Sequence, residues 1–133
     1  MIQDLYWKWK NKMIKEIRDA IDKLKIFLNG KYRNIWINTN TLRVYVRKGN
    51  HLINNNIVTT LDIANIEVKN KNKGIGTEFI NNAHSSHNFE ATFIENILNE
   101  RFYKYLERNG WNKVENSLPP SLYKEKNIEI KKW

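Results

Sequence analysis

Residues 70–80, with the sequence NKNKGIGTEFI, combine lysines and glycines at the entrance to a predicted helix. Lys71 and Lys73 carry positive charge, while Gly74 and Gly76 let a bound group approach the main chain closely. The first N–H groups of a helix have no partner inside the helix and lie at the positive end of its dipole. This combination is typical of a phosphate site, and the alternative is a structural turn with solvated lysines.

The loop matches neither of the two commonest phosphate-binding fingerprints. GIGTEF lacks the third glycine of a dinucleotide-binding turn, and the pattern G-x-x-x-x-G-K-S/T occurs nowhere in the chain. A phosphate site here must therefore depend on backbone N–H groups and on the lysines beside them.

A carboxylate inside an apolar strand is the second chemical signal. Asp62 lies within TTLDIANIEV and, by the two-residue period of a strand, on the same face as Ile66 and Val68. Burial of a charged group is costly unless it is hydrogen-bonded or functional. We therefore predict Asp62 as a general base or as a structural acid bonded to a backbone turn or a neighbouring lysine. Glu67 points to the opposite face, and Glu95, at the end of ATFIEN, is the reserve candidate for the base.

Metal and thiolate chemistry find little support in the sequence. The chain has no cysteine, which excludes a catalytic thiolate and a thiolate metal site. His84 and His87 have the i, i+3 spacing of a ligand pair, but no acidic ligand lies nearby, and His51 is distant in sequence. We predict no metal site, and we interpret the HSSH segment as a solvated helix end or loop.

Composition limits the class of partner. A net charge of +9 and a pI near 9.7 favour a polyanion, which is a nucleic acid, an acidic protein or a phosphorylated cofactor. At 133 residues, one domain is expected. No apolar run reaches membrane-spanning length, so a cytoplasmic protein without a membrane partner is expected, as a monomer or homodimer. The small size and the abundance of Asn, Lys and Ile suit an AT-rich phage or mobile element.

The first element is predicted as an amphipathic helix that ends at Asn29-Gly30. It begins near Asp4 or near Lys12, because LYWKWK also fits a short alternating strand. The apolar residues at helical spacing are Met13, Ile14, Ile17, Ala20, Ile21, Leu24, Phe27 and Leu28.

Strands are predicted after this helix. NIWIN and TLRVYVRKG form two antiparallel strands joined by the turn NTN, and GNHLINNN is predicted as the next turn. IVTTLDIANIEV is the longest strand, and its last residues are apolar on both faces, as in a buried central strand.

The remaining chain alternates between helices and strands. We predict a helix from Gly76 to about Ala83, a strand in NFEATFIEN, a helix from Glu100 to Arg108 and short strands near Lys113 and in the tail. The order strand, loop, helix, strand implies a right-handed crossover, which places TLDIANIEV and EATFIEN parallel in one sheet.

Two segments in this order resemble motifs of the GNAT superfamily of N-acetyltransferases. KNKGIG resembles the acetyl-coenzyme A loop Arg/Gln-x-x-Gly-x-Gly/Ala, with Lys71 at the basic position and Gly74 and Gly76 at the small ones. NERFYKYLERNGW resembles the later segment Asn-x-x-Ala-x-x-x-Tyr-x-x-x-Gly-Phe and matches it at Asn99 and Gly110.

The resemblance covers residues 57–111 and implies a fold. That fold is a GNAT-like α/β layered domain with a mixed, mostly antiparallel sheet, a splayed parallel pair of central strands and helices on both faces. It implies one domain over residues 1–133, with an N-terminal helical region at 1–30 and the cofactor-binding core at 57–111.

The resemblance also implies acetyl-coenzyme A as the cofactor. Its pantetheine arm would pair as an added strand with the backbone near Ile66 and Val68. Asn99 would bond the pantetheine or cap its own helix. The pyrophosphate would lie on the N–H groups and side chains of Lys71, Asn72, Lys73, Gly74, Ile75, Gly76 and Thr77.

The implied function is N-acetyl transfer to an amine, with Asp62 or Glu95 removing the proton, and a macromolecular acceptor is favoured over a small amine. Leu106 replaces the tyrosine that often protonates the leaving thiolate in this family. Tyr103 and Tyr105 are nearby but rotated around the helix. Loss of a general acid typically costs 10²–10⁴-fold in rate.

A catalytically weak or inactive GNAT-like module is the alternative function. Such a module would bind or inhibit a nucleic acid or a nucleic-acid-handling protein. Five tryptophans and six tyrosines among many lysines supply stacking surfaces and phosphate contacts.

Overall fold

The computed structural model describes residues 2–69 and 74–126. The strands form one six-stranded sheet in the order β1-β2-β3-β4-β6-β5. β3 and β4 are parallel and the other neighbours are antiparallel, which confirms the predicted mixed sheet. The elements are α1 (Ile2–Asn29), β1 (Asn34–Asn38), β2 (Leu42–Ile53), β3 (Asn56–Val68), α2 (Ile75–Ser86), β4 (Ala91–Ile94), α3 (Glu100–Arg108), β5 (Asn112–Lys113) and β6 (Leu122–Glu125).

The chain divides into two compact units. The first unit contains Met1–Tyr45 and Ile66–His87, and the second contains Val46–Asn65 and Asn88–Trp133. β2 and β3 each run from one unit into the other. The single domain over residues 1–133 and its subdivision at 1–30 and 57–111 stay predictions.

In the first unit, α1 packs against α2 and β1. The predicted stripe supplies the α1 side of this core from Ile17 to Phe27, whereas Ile14, predicted in the same stripe, is exposed. Gly30 donates its N–H to the Phe27 carbonyl at 3.1 Å where the helix ends. LYWKWK is helical, so the strand alternative for this segment is wrong. A helix there satisfies its own backbone groups. The buried apolar residues of the two helices are Ile17, Ala20, Ile21, Leu24, Phe27, Ile75, Phe79, Ile80 and Ala83.

The second unit begins with a hairpin whose turn the sequence placed too early. Asn54 and Asn55 have φ angles of 51° and 66°, the left-handed conformation that a two-residue type I′ turn requires. Residues 49–53, predicted as part of a turn, instead extend β2. Two consecutive asparagines adopt positive φ more readily than most residues, which moves the turn to this point.

Burial along β3 follows its pairing with β4. The residues buried on both faces are Thr60 to Ile63, in the middle of the strand, and not its last residues as predicted. These four residues are the ones in register with Ala91–Ile94. β3 continues beyond the last register pair, Ile63 with Ile94, as far as Val68.

The other predicted elements are confirmed with small shifts. α3 spans Glu100–Arg108 as predicted, while α2 begins one residue earlier than predicted and extends to Ser86. β5 and β6 are the predicted short strands, and residues 127–133 of the tail lie outside the described residues.

Replacement of the largest fully buried side chain tests the core of the first unit. Phe79 on α2 is fully buried, so we expect Phe79→Ala to cost about 3–5 kcal/mol of unfolding free energy. Leu52→Ala is the control, because Leu52 is exposed and its loss should change stability by less than about 0.5 kcal/mol. Urea denaturation measures both. Equal losses in the two variants would contradict this assignment of the core.

Candidate functional site

Five polar side chains of the second unit lie together, and one of them is the buried carboxylate of Asp62. Arg47 and His51 lie on β2, Thr60 and Asp62 on β3, and Glu95 directly after β4. We call this set the carboxylate cluster.

Strand periodicity explains why these residues meet. Arg47 and His51 are four residues apart on β2, and Thr60 and Asp62 are two apart on β3, so each pair shares one face of its strand. The Glu95 N–H donates to the Ile63 carbonyl at 3.0 Å, which continues the β3–β4 pairing by one step. The sheet thus gathers side chains that lie far apart in sequence.

The Asp62 carboxylate is the centre of the cluster. Its Oδ1 accepts the Thr60 hydroxyl at 2.6 Å and lies 2.9 Å from His51 Nε2. Its Oδ2 lies 3.5 Å from Arg47 Nη2, and the same guanidinium nitrogen forms an ion pair with Glu95. Buried charges are stable only when they are paired and hydrogen-bonded, and Asp62 meets both conditions.

Solvent reaches the members of the cluster unequally. The Asp62 side chain is 4% exposed, whereas those of His51 and Arg47 are 25% and 37% exposed. The His51 ring stacks on Phe93 with 3.7 Å between ring centroids and parallel planes. Asp62 therefore forms the floor of the cluster, and His51 and Arg47 lie between it and solvent.

Gly49 makes room for this carboxylate. A Cβ atom at position 49 would lie 2.3 Å from Asp62 Oδ2, which is closer than any real contact. Gly49 lies within β2, between Arg47 and His51, and a glycine inside a strand often marks a close approach. The predicted strand TLRVYVRKG ended at Gly49, where the predicted turn GNHLINNN began, and this error concealed the alternation of Arg47, Gly49 and His51 along β2.

The structure brings both predicted base candidates, Asp62 and Glu95, into the same cluster. The structural alternative for Asp62 named a backbone turn or a lysine as the partner, and the actual partners are Arg47, His51 and Thr60. A catalytic role for either carboxylate stays a prediction. Glu67 lies apart from the cluster, in an exposed ion pair with Arg43 at 3.9 Å.

The same side chains have the spacing of a metal site. One ligand atom from each of His51, Asp62 and Glu95 lies within 4.8 Å of the other two. Arg47, however, contacts both carboxylates and supplies the positive charge that a metal ion would bring. A bound cation would have to displace the guanidinium, so the arrangement suits proton handling better than metal binding.

The predicted cofactor residues of the first unit flank the entrance to α2. Gly74 is the N-cap with a φ of 72°, a left-handed conformation that explains the glycine, and it provides no side-chain cap. Its carbonyl accepts the Glu78 N–H at 3.0 Å and the Thr77 hydroxyl at 2.9 Å. Ile75 is buried. Lys71, Asn72 and Lys73 lie outside the described residues.

Gly76 packs toward the end of β3. A Cβ atom there would lie 3.4 Å from Val68 Cγ2 and 3.8 Å from Ile66 Cδ1, so an alanine fits without a clash. The structure thus brings together Ile66, Val68 and Gly76, three residues predicted to bind the cofactor. Helix packing alone does not require a glycine at this position.

Asn99 caps α3. Its Oδ1 accepts the Phe102 N–H at 3.0 Å, which is the capping alternative of the two given for this residue. A pantetheine contact by Asn99 stays a prediction.

α3 has no tyrosine at position 106, where the GNAT motif has one. Leu106 is buried, whereas Tyr105 is exposed. Burial, and then the neighbouring Glu107, raise the pKa of Tyr103, which keeps its phenol protonated well above neutral pH.

The histidines of α2 differ from the prediction. His87, the C-cap of the helix, is 2% exposed, so a solvated position is wrong for this residue. Its ring lies edge-to-face with His84 at 6.0 Å between centroids. The aromatic character of the pair favours packing at the helix end over solvation.

Comparison with known proteins bears on the fold. No family model matches the chain, and no curated protein matches it by sequence. A solved structure of the AtaT toxin, a tyrosine-to-phenylalanine mutant bound to the C-terminus of the antitoxin AtaR and to acetyl-CoA, matches with a TM-score of 0.52 and 11% identity. The fold is GNAT-like. The match covers 64% of this chain and 58% of the AtaT chain, and at this identity the likeness shows the fold alone.

A double-mutant cycle tests the close approach of Gly49 and Asp62. We expect Gly49→Ala to destabilise the protein by about 1–3 kcal/mol, because the added methyl group must displace the buried carboxylate. In an Asp62→Ala background the same change should cost much less, since the clashing atoms are gone. Guanidinium denaturation of the four proteins measures the coupling. Equal costs in the two backgrounds would show that the carboxylate does not fill this space.

Proposed function

We propose that this chain is an acetyl-CoA-dependent N-acetyltransferase that acts on an amine of a macromolecule. The observation that carries the proposal is the entrance to α2, which follows β3 directly and has glycines at positions 74 and 76, within a GNAT-like fold. The AtaT toxin, which has this fold, is bound to acetyl-CoA in its structure.

The cofactor would bind along the end of β3 and the entrance to α2. Ile66 and Val68 offer backbone groups to the pantetheine arm beyond the last β3–β4 register pair. The first N–H groups of α2, together with Lys71 and Lys73, would hold the pyrophosphate.

Transfer of the acetyl group to an amine requires two proton transfers. The amine nitrogen attacks the thioester carbonyl, so that a C–N bond forms and the C–S bond breaks. The amine loses a proton, and the coenzyme A thiolate gains one. The carboxylate cluster, with the predicted bases Asp62 and Glu95, supplies groups for the first of these steps. Because Leu106 replaces the usual tyrosine, the thiolate takes its proton from solvent.

An acidic macromolecule, protein or nucleic acid, is the proposed partner. The first turns of α1 expose Leu5, Tyr6, Trp7 and Trp9. Lys10 lies over the rings of Tyr6 and Trp7 at 5.9 and 5.5 Å. Aromatic surfaces among lysines suit the stacking and charge of a polyanion. AtaT is bound to a segment of its antitoxin, so a protein partner has a precedent in this fold.

The same surface favours the second candidate function, a binding or inhibitory module without efficient transfer. Leu106 at the tyrosine position agrees with that alternative. No helix in residues 2–69 and 74–126 is long and apolar enough to cross a membrane. The cytoplasmic location, the origin in a phage or mobile element, and the monomeric or homodimeric state stay predictions.

Acetyl-CoA should stabilise the folded protein. Ligand at 100 times its Kd adds about 2.7 kcal/mol to the unfolding free energy, which raises Tm by several degrees.

Gly76→Ala should fold normally but weaken acetyl-CoA binding, because the methyl group enters the space between α2 and the end of β3. Lys71→Ala should cost about 1–3 kcal/mol of binding, and Lys25→Ala, an exposed lysine on α1, should cost none.

Thermal shift and calorimetry measure these effects. A melting curve that does not move at millimolar acetyl-CoA would refute the cofactor assignment. A folded Gly76→Ala variant with unchanged affinity would show that Gly76 only shapes the helix entrance.

The exposed aromatic segment should bind polyanions. We expect wild-type protein to bind a single-stranded RNA oligonucleotide in a salt-dependent manner, and Trp7→Ala to weaken that binding about tenfold by loss of one stacking contact. Ile26→Ala is the matched control, because Ile26 is also exposed on α1 but lies among the later turns. Fluorescence anisotropy measures the binding of the RNA oligonucleotide. In a parallel experiment a polyglutamate peptide takes the place of the RNA and tests for an acidic protein as the partner. Equal effects of the two variants would place the contact elsewhere.

A further inference from the structure

We propose that His51 accepts the proton during acetyl transfer and that Asp62 is the positioning residue that holds the His51 ring. This inference rests on the proposed acetyltransferase function. It makes His51, and not Asp62, the general base, because the two side chains differ in their access to solvent and in their hydrogen bonds.

Asp62 has no oxygen available to a substrate. Its Oδ1 is shared by the Thr60 hydroxyl and by His51 Nε2, and its Oδ2 faces Arg47 and the main chain at Gly49. A general base must come within about 3 Å of the proton it removes, or reach it through one water. A side chain that is 4% exposed and surrounded by its own partners does not meet this requirement.

His51 meets it. An ionised carboxylate only accepts hydrogen bonds, so the 2.9 Å contact with Asp62 places the imidazole proton on Nε2. Nδ1 then carries the lone pair, and among residues 2–69 and 74–126 it forms no hydrogen bond. With 25% of its side chain exposed, His51 is the member of the cluster that combines access to solvent with a nitrogen lone pair.

The ring is also fixed in orientation. The His51 ring stacks on the buried ring of Phe93, with 3.7 Å between the ring centroids and parallel planes, and this contact restricts rotation about the His51 Cβ–Cγ bond. The hydrogen bond to Asp62 fixes the direction of Nε2. A base held by its neighbours in a single orientation loses little entropy in the reaction.

Arg47, on the neighbouring β2 strand, forms ion pairs with both carboxylates of the cluster, Asp62 and Glu95. Glu95 is the weaker candidate, because its carboxylate is already engaged by Arg47.

The step is balanced without any further reactant. The nucleophile, an amine or water, attacks the acetyl carbonyl of acetyl-CoA, and its proton passes to His51 Nδ1 as the C–N or C–O bond forms. The C–S bond breaks, the thiolate takes a proton from solvent, and His51 releases its proton to solvent afterwards.

His51→Gln is the sharpest test. The glutamine amide still donates to Asp62 and fills similar space, but it has no basic nitrogen. Thiol release from acetyl-CoA is measured with n-butylamine as the probe acceptor, and with water alone. We expect His51→Gln to keep the Tm and acetyl-CoA affinity of the wild type while its rate falls about 10²–10⁴-fold. His84→Gln, on α2, is the matched control and should leave the rate unchanged.

Chemical rescue separates a base from a structural residue. Added imidazole should restore part of the rate of His51→Ala, and should restore none in Asp62→Asn, where the native ring is present but wrongly held. A wild-type rate in folded His51→Gln would overturn the role of His51 and leave the acetyltransferase function intact. A wild-type protein that binds acetyl-CoA but releases no thiol with either acceptor would overturn both the transfer function and this role.

Discussion

The burial of the Asp62 carboxylate constrains the choice of the residues around it in the second unit. A carboxylate in the middle of a sheet is unstable without compensation, and the compensation comes from β2, from β3 itself and from the residue after β4. Gly49 must lack a side chain, Thr60 must donate, and His51 must lie opposite. Several residue choices thus follow from one charge.

The parts of the fold that sequence could predict are those with local causes. α3 was predicted to its first and last residues, because Asn99 and the Asn109-Gly110 pair are capping signals within a few residues of the helix ends. The parallel pairing of β3 and β4 followed from the order of elements. The predicted turn GNHLINNN contains Asn54 and Asn55 but begins too early, at Gly49, and its run of three asparagines offers several positions for the same turn chemistry.

The candidate site was predictable only in part, for a physical reason. Asp62 is conspicuous by itself, since a carboxylate in an apolar strand signals an unusual environment. Its partners are not, because Arg47 and His51 are ordinary residues until β2 is known to extend past Gly49. The contact between Arg47 and Glu95 joins residues 48 positions apart, and no local pattern encodes such a distance. The cofactor loop shows the opposite case, because its hypothesis comes from a short motif that is local in the sequence.

α1 is 28 residues long, or about 42 Å, yet between residues 4 and 15 no side chain is buried. Tertiary packing supports only the part from Glu16 onward, where the stripe meets the core. A helical segment of about 12 residues without such support is marginal in water. Backbone amides along α1 should therefore exchange with solvent in a gradient, fast in the first three turns and slow near Leu24. A ligand that covers the aromatic turns would flatten that gradient, and the ordering cost would reduce its net affinity.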